Sequence, residues 1–130
     1  MTVLVDTSIW VDYLRGRHEA KPLDPLLDRG EVALCGPVIA ELLAGTAAGQ
    51  AEVLWLALGS LPSAPLDDAA WRDAGETAGV LRRRGESVPL LDVVIAIAAV
   101  RFGAELWSRD RDFERVGEVV TGLHLYEPRL

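Results

Sequence analysis

Residues 3–14 read VLVDTSIWVDYL, and this stretch decides the fold class. The apolar, β-branched run at residues 3–5 predicts a buried strand. Thr7 or Ser8 then offers a helix cap, and the spacing of apolar residues after it predicts a helix to about residue 15. A strand followed directly by a helix is the repeating unit of an α/β protein.

The same alternation of short apolar strands and helices continues along the chain. Further strands are predicted at residues 32–35, 63–66, 105–108 and 123–126. Further helices are predicted at residues 25–28, 36–45, 47–58, 67–84, 91–100 and 109–115. Parallel strands need crossover connections, which are usually helices, so the pattern predicts an α/β fold with a central, mainly parallel sheet covered on both faces.

Composition limits the classes of protein to which the chain can belong. A length of 130 residues suits one domain over residues 1–130, and 50% hydrophobic with 25% charged residues is typical of a soluble globular protein. No apolar run is long enough to span a membrane, and Asp6 interrupts the N-terminal apolar run before a signal-peptide core can form. With Cys35 as the lone cysteine, no internal disulfide is possible. We therefore expect a cytoplasmic protein with no membrane association.

Charge limits the manner in which the chain could bind nucleic acid. It has 13 basic and 20 acidic residues, for a formal net charge of −7. Such a balance argues against a broad basic face that binds nucleic acid by itself. It is compatible with a nuclease whose bound metal supplies the positive charge to a phosphate.

Four acids are predicted to meet at one edge of the sheet. Asp6 ends the first strand, Glu41 lies in the opening turns of the helix after the second, Asp92 begins a buried helix, and Asp110 follows the strand at 105–108. In open α/β sheets, ligands bind where the strands' carboxyl ends meet the following helices. We therefore expect the four carboxylates to converge.

Crowded carboxylates repel one another unless a cation joins them, and oxygen-only ligands favour a hard ion such as Mg²⁺ or Mn²⁺. Each acid also has an ordinary interpretation. Asp6, Asp92 and Asp110 precede predicted helices and could cap them, and Glu41 could simply face solvent. The capping interpretation is weakest for Asp92, because burying an acid in an apolar helix is costly without a partner.

Four segments resemble the acidic motifs of PIN-domain ribonucleases, and most closely those of the VapC toxins of bacterial toxin–antitoxin pairs. They are LVDTSIW at 4–10, VIAEL at 38–42, LDVVIA at 91–96 and SRDRDF at 108–113. Each motif is weak alone, but the four together are specific, and the resemblance, in this order and at comparable spacing, covers nearly the whole chain. The resemblance implies a PIN-like three-layer α/β/α fold.

The resemblance also implies an activity, a set of site residues and partners. The activity is that of an endoribonuclease that depends on Mg²⁺ or Mn²⁺ and cleaves RNA by metal-activated water, as the toxin of a VapBC-type pair. The implied catalytic residues are Asp6, Glu41, Asp92 and Asp110, the implied metal ligands are Asp6, Asp92, Asp110 and Asp112, and the implied supporting hydroxyls are Ser8 and Ser108. The implied partners are a VapB-like antitoxin, the RNA substrate and a second copy of the chain.

Other interpretations of the sequence remain. A catalytically silent module that keeps the fold and acts through its antitoxin is the main alternative. Histidine-based cleavage is not expected, because His18 and His124 both lie away from the predicted site. The arginines that flank Asp110 are interpreted as surface residues. Large apolar side chains beyond the needs of a small core favour self-association, namely Trp10, Tyr13, Leu14, Trp55, Leu56 and Leu58.

Overall fold

The computed structural model describes residues 1–129, which form four strands and seven α-helices. The strands are β1 (Val3–Val5), β2 (Val32–Cys35), β3 (Ser63–Ala64) and β4 (Glu105–Trp107). The helices are α1 (Thr7–Leu14), α2 (Leu23–Asp28), α3 (Gly36–Ala44), α4 (Ala51–Leu58), α5 (Asp68–Arg83), α6 (Leu90–Arg101) and α7 (Asp112–Gly117), with a 3₁₀ turn at His18–Ala20.

The strands form one parallel sheet in the order β3-β2-β1-β4. Leu4 of β1 pairs with Ala33 of β2 on one side and with Leu106 of β4 on the other. Strand β1 is therefore central, and the residue that follows it lies in the middle of the carboxyl edge. The predicted α/β fold, with a parallel sheet between layers of helices, is confirmed.

Helix α6 provides much of the core that supports this edge. Its residues 93–99 are all buried, as the continuous apolar run predicts, and they pack with the fully buried strands β1 and β2. Helix α5 is amphipathic and packs along α6. It begins with a capping aspartate, because the Asp67 carboxylate accepts a hydrogen bond from the amide of Ala70 at 2.9 Å.

The predicted closing strand at residues 123–126 is wrong, since only Leu125 forms a bridge there, opposite Leu106. The amide of Leu106 donates to the carbonyl of His124, and the amide of Tyr126 donates to the carbonyl of Leu106. On either side of Leu106 in the three-residue strand β4, the Glu105 amide donates to the carbonyl of Thr2 and the Trp107 carbonyl accepts from the amide of Asp6, the residues that flank β1. A single residue thus faces outward, and no ladder can form.

Several other predicted elements have different bounds, and for two of them the structure gives the local cause. Strand β3 has two residues because Pro65, which lacks an N–H, follows them. The last helix begins at Asp112 rather than at residue 109, because the Asp110 side chain accepts a hydrogen bond from the Asp112 amide and forms a turn instead. No helix among the described residues is both long and apolar enough to cross a membrane.

Candidate active site

Asp6 lies at the end of central strand β1 and is 6% exposed. Its Oδ2 accepts hydrogen bonds from two hydroxyls, that of Ser8 at 3.0 Å and that of Ser108 at 2.7 Å. These bonds offset the cost of burying the carboxylate and fix its orientation. Both serines predicted to support the site therefore contact its central acid.

The predicted helix cap at Thr7 or Ser8 is wrong. Asp6 occupies the N-cap position of α1, and its carboxylate makes no capping hydrogen bond. The Thr7 hydroxyl donates instead to Oε1 of Glu41 at 2.8 Å, and the Ser8 hydroxyl donates to Asp6. The first turn of α1 therefore uses its side chains to hold acids of the site rather than to satisfy its own backbone.

The loop after β4 is ordered by hydrogen bonds that begin at Ser108. The Ser108 hydroxyl accepts a hydrogen bond from the Asp110 amide at 2.9 Å while it donates to Asp6. One oxygen of Asp110 then accepts from the Asp112 amide at 2.9 Å. A chain of short contacts thus joins Asp6 to the segment that carries two further carboxylates.

Three carboxylates form the centre of the site. Asp92, Asp110 and Asp112 each place one carboxylate oxygen within 4.8 Å of the other two. Oδ2 of Asp92 is buried, and among the described residues it has no hydrogen-bond partner. Burial, followed by the neighbouring carboxylates with Asp110 first among them, raises the pKa of the Asp92 carboxyl to about 7. We call Asp92, Asp110 and Asp112 the carboxylate cluster.

The carboxylate cluster has the donor set that a hard divalent cation requires. Its potential ligand atoms are all carboxylate oxygens, and their negative charges repel one another when no metal cation is bound. The buried, unpartnered oxygen of Asp92 is the kind of atom that a metal ion would satisfy. The residues present therefore fit a divalent metal. Asp6 lies beside the cluster, close enough for its charge to raise the pKa of Asp92.

Glu41 is the acid that the structure sets apart. It lies on α3, is exposed, and contacts Thr7 rather than the carboxylate cluster. The structure therefore brings together three predicted site residues, places Asp6 and its two serines beside them, and leaves Glu41 at the rim. All these residues lie at the carboxyl edge of the sheet, where the sequence predicts them.

Basic residues around the site are the part that sequence reasoning missed. Arg115 pairs with Asp112 of the cluster and with Glu86, whose Oε2 lies 2.9 Å from its Nη1. Arg109 pairs with Asp12, which is buried on α1. The sequence does contain a signal for Asp12, because a charged residue on the apolar face of an amphipathic helix is expected to be buried and paired. The contact between Arg115 and Glu86, which lie 29 positions apart, has no such signal.

Comparison with known proteins gives consistent results. Residues 3–119 match the PIN domain family. VapC ribonucleases of Mycobacterium bovis and of Mycobacterium tuberculosis are each 35% identical over 124 residues, covering 90% of this chain and 92% of the relative. The structure of a DNA-bound VapBC from Salmonella typhimurium aligns over 97% of both chains with a TM-score of 0.77. At 19% identity, that likeness shows the fold.

Proposed function

Because this chain belongs to the PIN-domain family, and within it to the VapC ribonucleases, we propose that it is a metal-dependent endoribonuclease and the toxin of a toxin–antitoxin pair. The observation that carries the proposal is the carboxylate cluster with its buried, unpartnered Asp92 oxygen. A purely structural α/β domain has no need of such an arrangement, because unpaired buried carboxylate oxygens destabilise it.

The metal is proposed to be Mg²⁺ or Mn²⁺, held by the carboxylate cluster together with Asp6. Such an ion, when bound, lowers the pKa of a water molecule and neutralises negative charge on the reacting phosphate. The hydroxyls of Ser8 and Ser108 hold the Asp6 carboxylate in place. Supporting hydrogen bonds of this kind orient metal ligands.

The proposed reaction is hydrolysis of an RNA phosphodiester by in-line attack of water. Glu41 is exposed and lies outside the carboxylate cluster, so its carboxylate can contact the substrate or the attacking water. Glu41 accepts a hydrogen bond from the hydroxyl of Thr7, the residue that directly follows Asp6 in the sequence. The proposed catalytic residues are therefore Asp6, Glu41, Asp92 and Asp110. We also propose that residues 1–130 form a single domain.

The proposed protein partner is a VapB-like antitoxin. Helices α1, α3 and α4 border an open, mostly apolar groove whose lining includes Leu14, Leu42 and Val53. Val53 and Leu14 are exposed, as are Trp55 and Leu56 nearby on α4. Glu41 also lines this groove, so a chain seated in it would reach the edge of the active site.

The chain is also proposed to form a homodimer. Of the large apolar residues that favour self-association, Trp10 and Leu58 are buried in the core, whereas Leu14, Trp55 and Leu56 are exposed. A separate, open apolar pocket is lined in part by the exposed side chains of Trp71 and Leu91. Two distinct apolar surfaces allow antitoxin and a second copy to bind together.

Light scattering is expected to report a dimer at tens of micromolar, and a monomer would contradict this proposal.

Cleavage of total cellular RNA by purified chain, free of antitoxin, tests the proposed activity. With Mg²⁺ or Mn²⁺ present, we expect discrete fragments that disappear with EDTA or with the substitution Asp92→Asn. Asp28→Asn removes the same charge from an exposed position on α2, and this variant is expected to give the wild-type fragments. No fragments from folded wild-type protein would contradict the proposal and favour the silent binding module, which the ribonuclease relatives do not favour.

A further inference from the structure

Asp12 is a buried charge outside the proposed active site. Among residues 1–129, Asp6 and Asp12 are the buried carboxylates, and Asp12 is 3% exposed. Its Oδ2 lies 3.0 Å from Nε of Arg109, and its Oδ1 lies 3.5 Å from Nε of Arg17. A buried carboxylate destabilises a fold unless it is paired, and both oxygens of Asp12 face a guanidinium.

The partner Arg109 belongs to the loop that carries the metal-binding acids. It lies between Ser108 and Asp110, and its guanidinium pairs with Asp12 on α1 rather than with the carboxylate cluster. Its backbone amide donates to the Ser8 hydroxyl at 3.2 Å. The loop is therefore fixed to α1 by the side chain and by the backbone of the same residue, immediately before Asp110.

We propose that Asp12 is a positioning residue for the metal centre, acting through Arg109 to hold Asp110 and Asp112 where they share a cation with Asp92. This inference rests on the proposed function, since it assigns a role in a divalent-metal site. Arg109 connects the loop to α1, because its planar guanidinium pairs with a fixed carboxylate with little loss of side-chain conformational entropy. Asp12 supplies the fixed point, because burial on α1 holds its carboxylate.

Positioning and simple charge effects predict opposite results for Arg109. Removal of a positive charge beside a cation site strengthens cation binding when the effect is purely electrostatic. Loss of the contact that holds the loop weakens cation binding, because Asp110 and Asp112 are then less well placed. The direction of the change in Mn²⁺ affinity therefore separates the two explanations.

The test is Mn²⁺ titration of the full chain, followed by the electron paramagnetic resonance signal of free Mn²⁺. Arg109→Gln is expected to weaken Mn²⁺ binding by about 10-fold or more, which is the usual effect of losing a contact that orients metal ligands. Arg109→Lys is expected to recover part of this loss, because it restores a cation opposite Asp12. Arg17→Gln is the matched control, since it removes a guanidinium from Asp12 without altering the loop.

Two further variants test the role of Asp12 itself. Asp12→Asn should weaken Mn²⁺ binding about as much as Arg109→Gln, and the double variant should lose little more than either, because the pair acts as one unit. Circular dichroism is the check that each variant is folded. Mn²⁺ affinity that is unchanged or increased in Arg109→Gln would overturn the proposal, as would a loss in Arg17→Gln equal to that in Arg109→Gln. The RNA assay is scored separately, so an inactive wild-type chain that shows these Mn²⁺ differences would still support positioning.

Discussion

Replacing Asp92 with asparagine should stabilise the metal-free protein, although it removes a proposed metal ligand. Burial and the neighbouring carboxylates raise the pKa of this carboxyl from 3.8 to about 7. A raised carboxyl pKa means that the folded state binds a proton more tightly than the unfolded state. The stability that Asp92 contributes is therefore present in acid and is lost as the pH rises through about 7. Asparagine keeps the shape and never ionises.

The size of the effect follows from the two pKa values. The difference between 3.8 and about 7 sets an upper limit of about 4 kcal/mol on the gain in the free energy of unfolding when Asp92 is replaced. Because the side chain is only half-buried, solvent screening reduces the expected gain to about 1–2 kcal/mol at about pH 8. At about pH 4 the wild-type carboxyl is protonated, and the gain should be close to zero.

Urea denaturation in EDTA, over a series of pH values, measures this gain. The curves for wild type and Asp92→Asn should separate progressively as the pH rises, and the exposed control Asp28→Asn should show no comparable separation. Added Mn²⁺ should then stabilise the wild type and leave Asp92→Asn unchanged, since ligands stabilise the state that binds them. A variant that is less stable than wild type at about pH 8 in EDTA would refute the reasoning.

Three further predictions follow from single contacts. Ser108→Ala removes the hydroxyl between Asp6 and the Asp110 amide and should reduce the rate of RNA cleavage by about 10-fold or more. Ser108→Thr keeps the hydroxyl and should keep most of the wild-type rate, whereas equal rates for Ser108→Ala and wild type would contradict this role. Asp67→Ala should cost about 1 kcal/mol in urea denaturation through loss of the α5 cap, whereas Asp67→Asn should cost far less. Burial raises the pKa of the Cys35 thiol to about 11, so iodoacetamide should label it at about pH 8 only after unfolding, and rapid labelling of the native chain would contradict its burial.

The position of the site could be predicted because it depends on topology. A strand of three buried residues ending in an acid, with helices between strands, is enough to place Asp6 at the carboxyl edge of a parallel sheet. Asp92 was predictable for a different reason, because a lone acid in an otherwise apolar helix needs a partner or a ligand. Both arguments use local sequence and general rules of sheet architecture.

The contacts within the site could not be predicted, because they join distant residues through side-chain conformations. The Ser108 hydroxyl contacts Asp6 across 102 positions, and Arg109 contacts Asp12 by a choice of rotamer that no local pattern specifies. The false closing strand at 123–126 has a similar origin. Its residues suit a strand, but the short β4 offers a single outward-facing residue to pair with.

Anomalous diffraction from crystals of the chain grown with Mn²⁺ tests the central claim most directly. The account predicts one strong peak within bonding distance of Asp92, Asp110 and Asp112, beside Asp6, and its absence in crystals of Asp92→Asn. A well-ordered site without a peak, or a peak held by other residues, would contradict the claim that this carboxylate cluster is the metal centre of a ribonuclease.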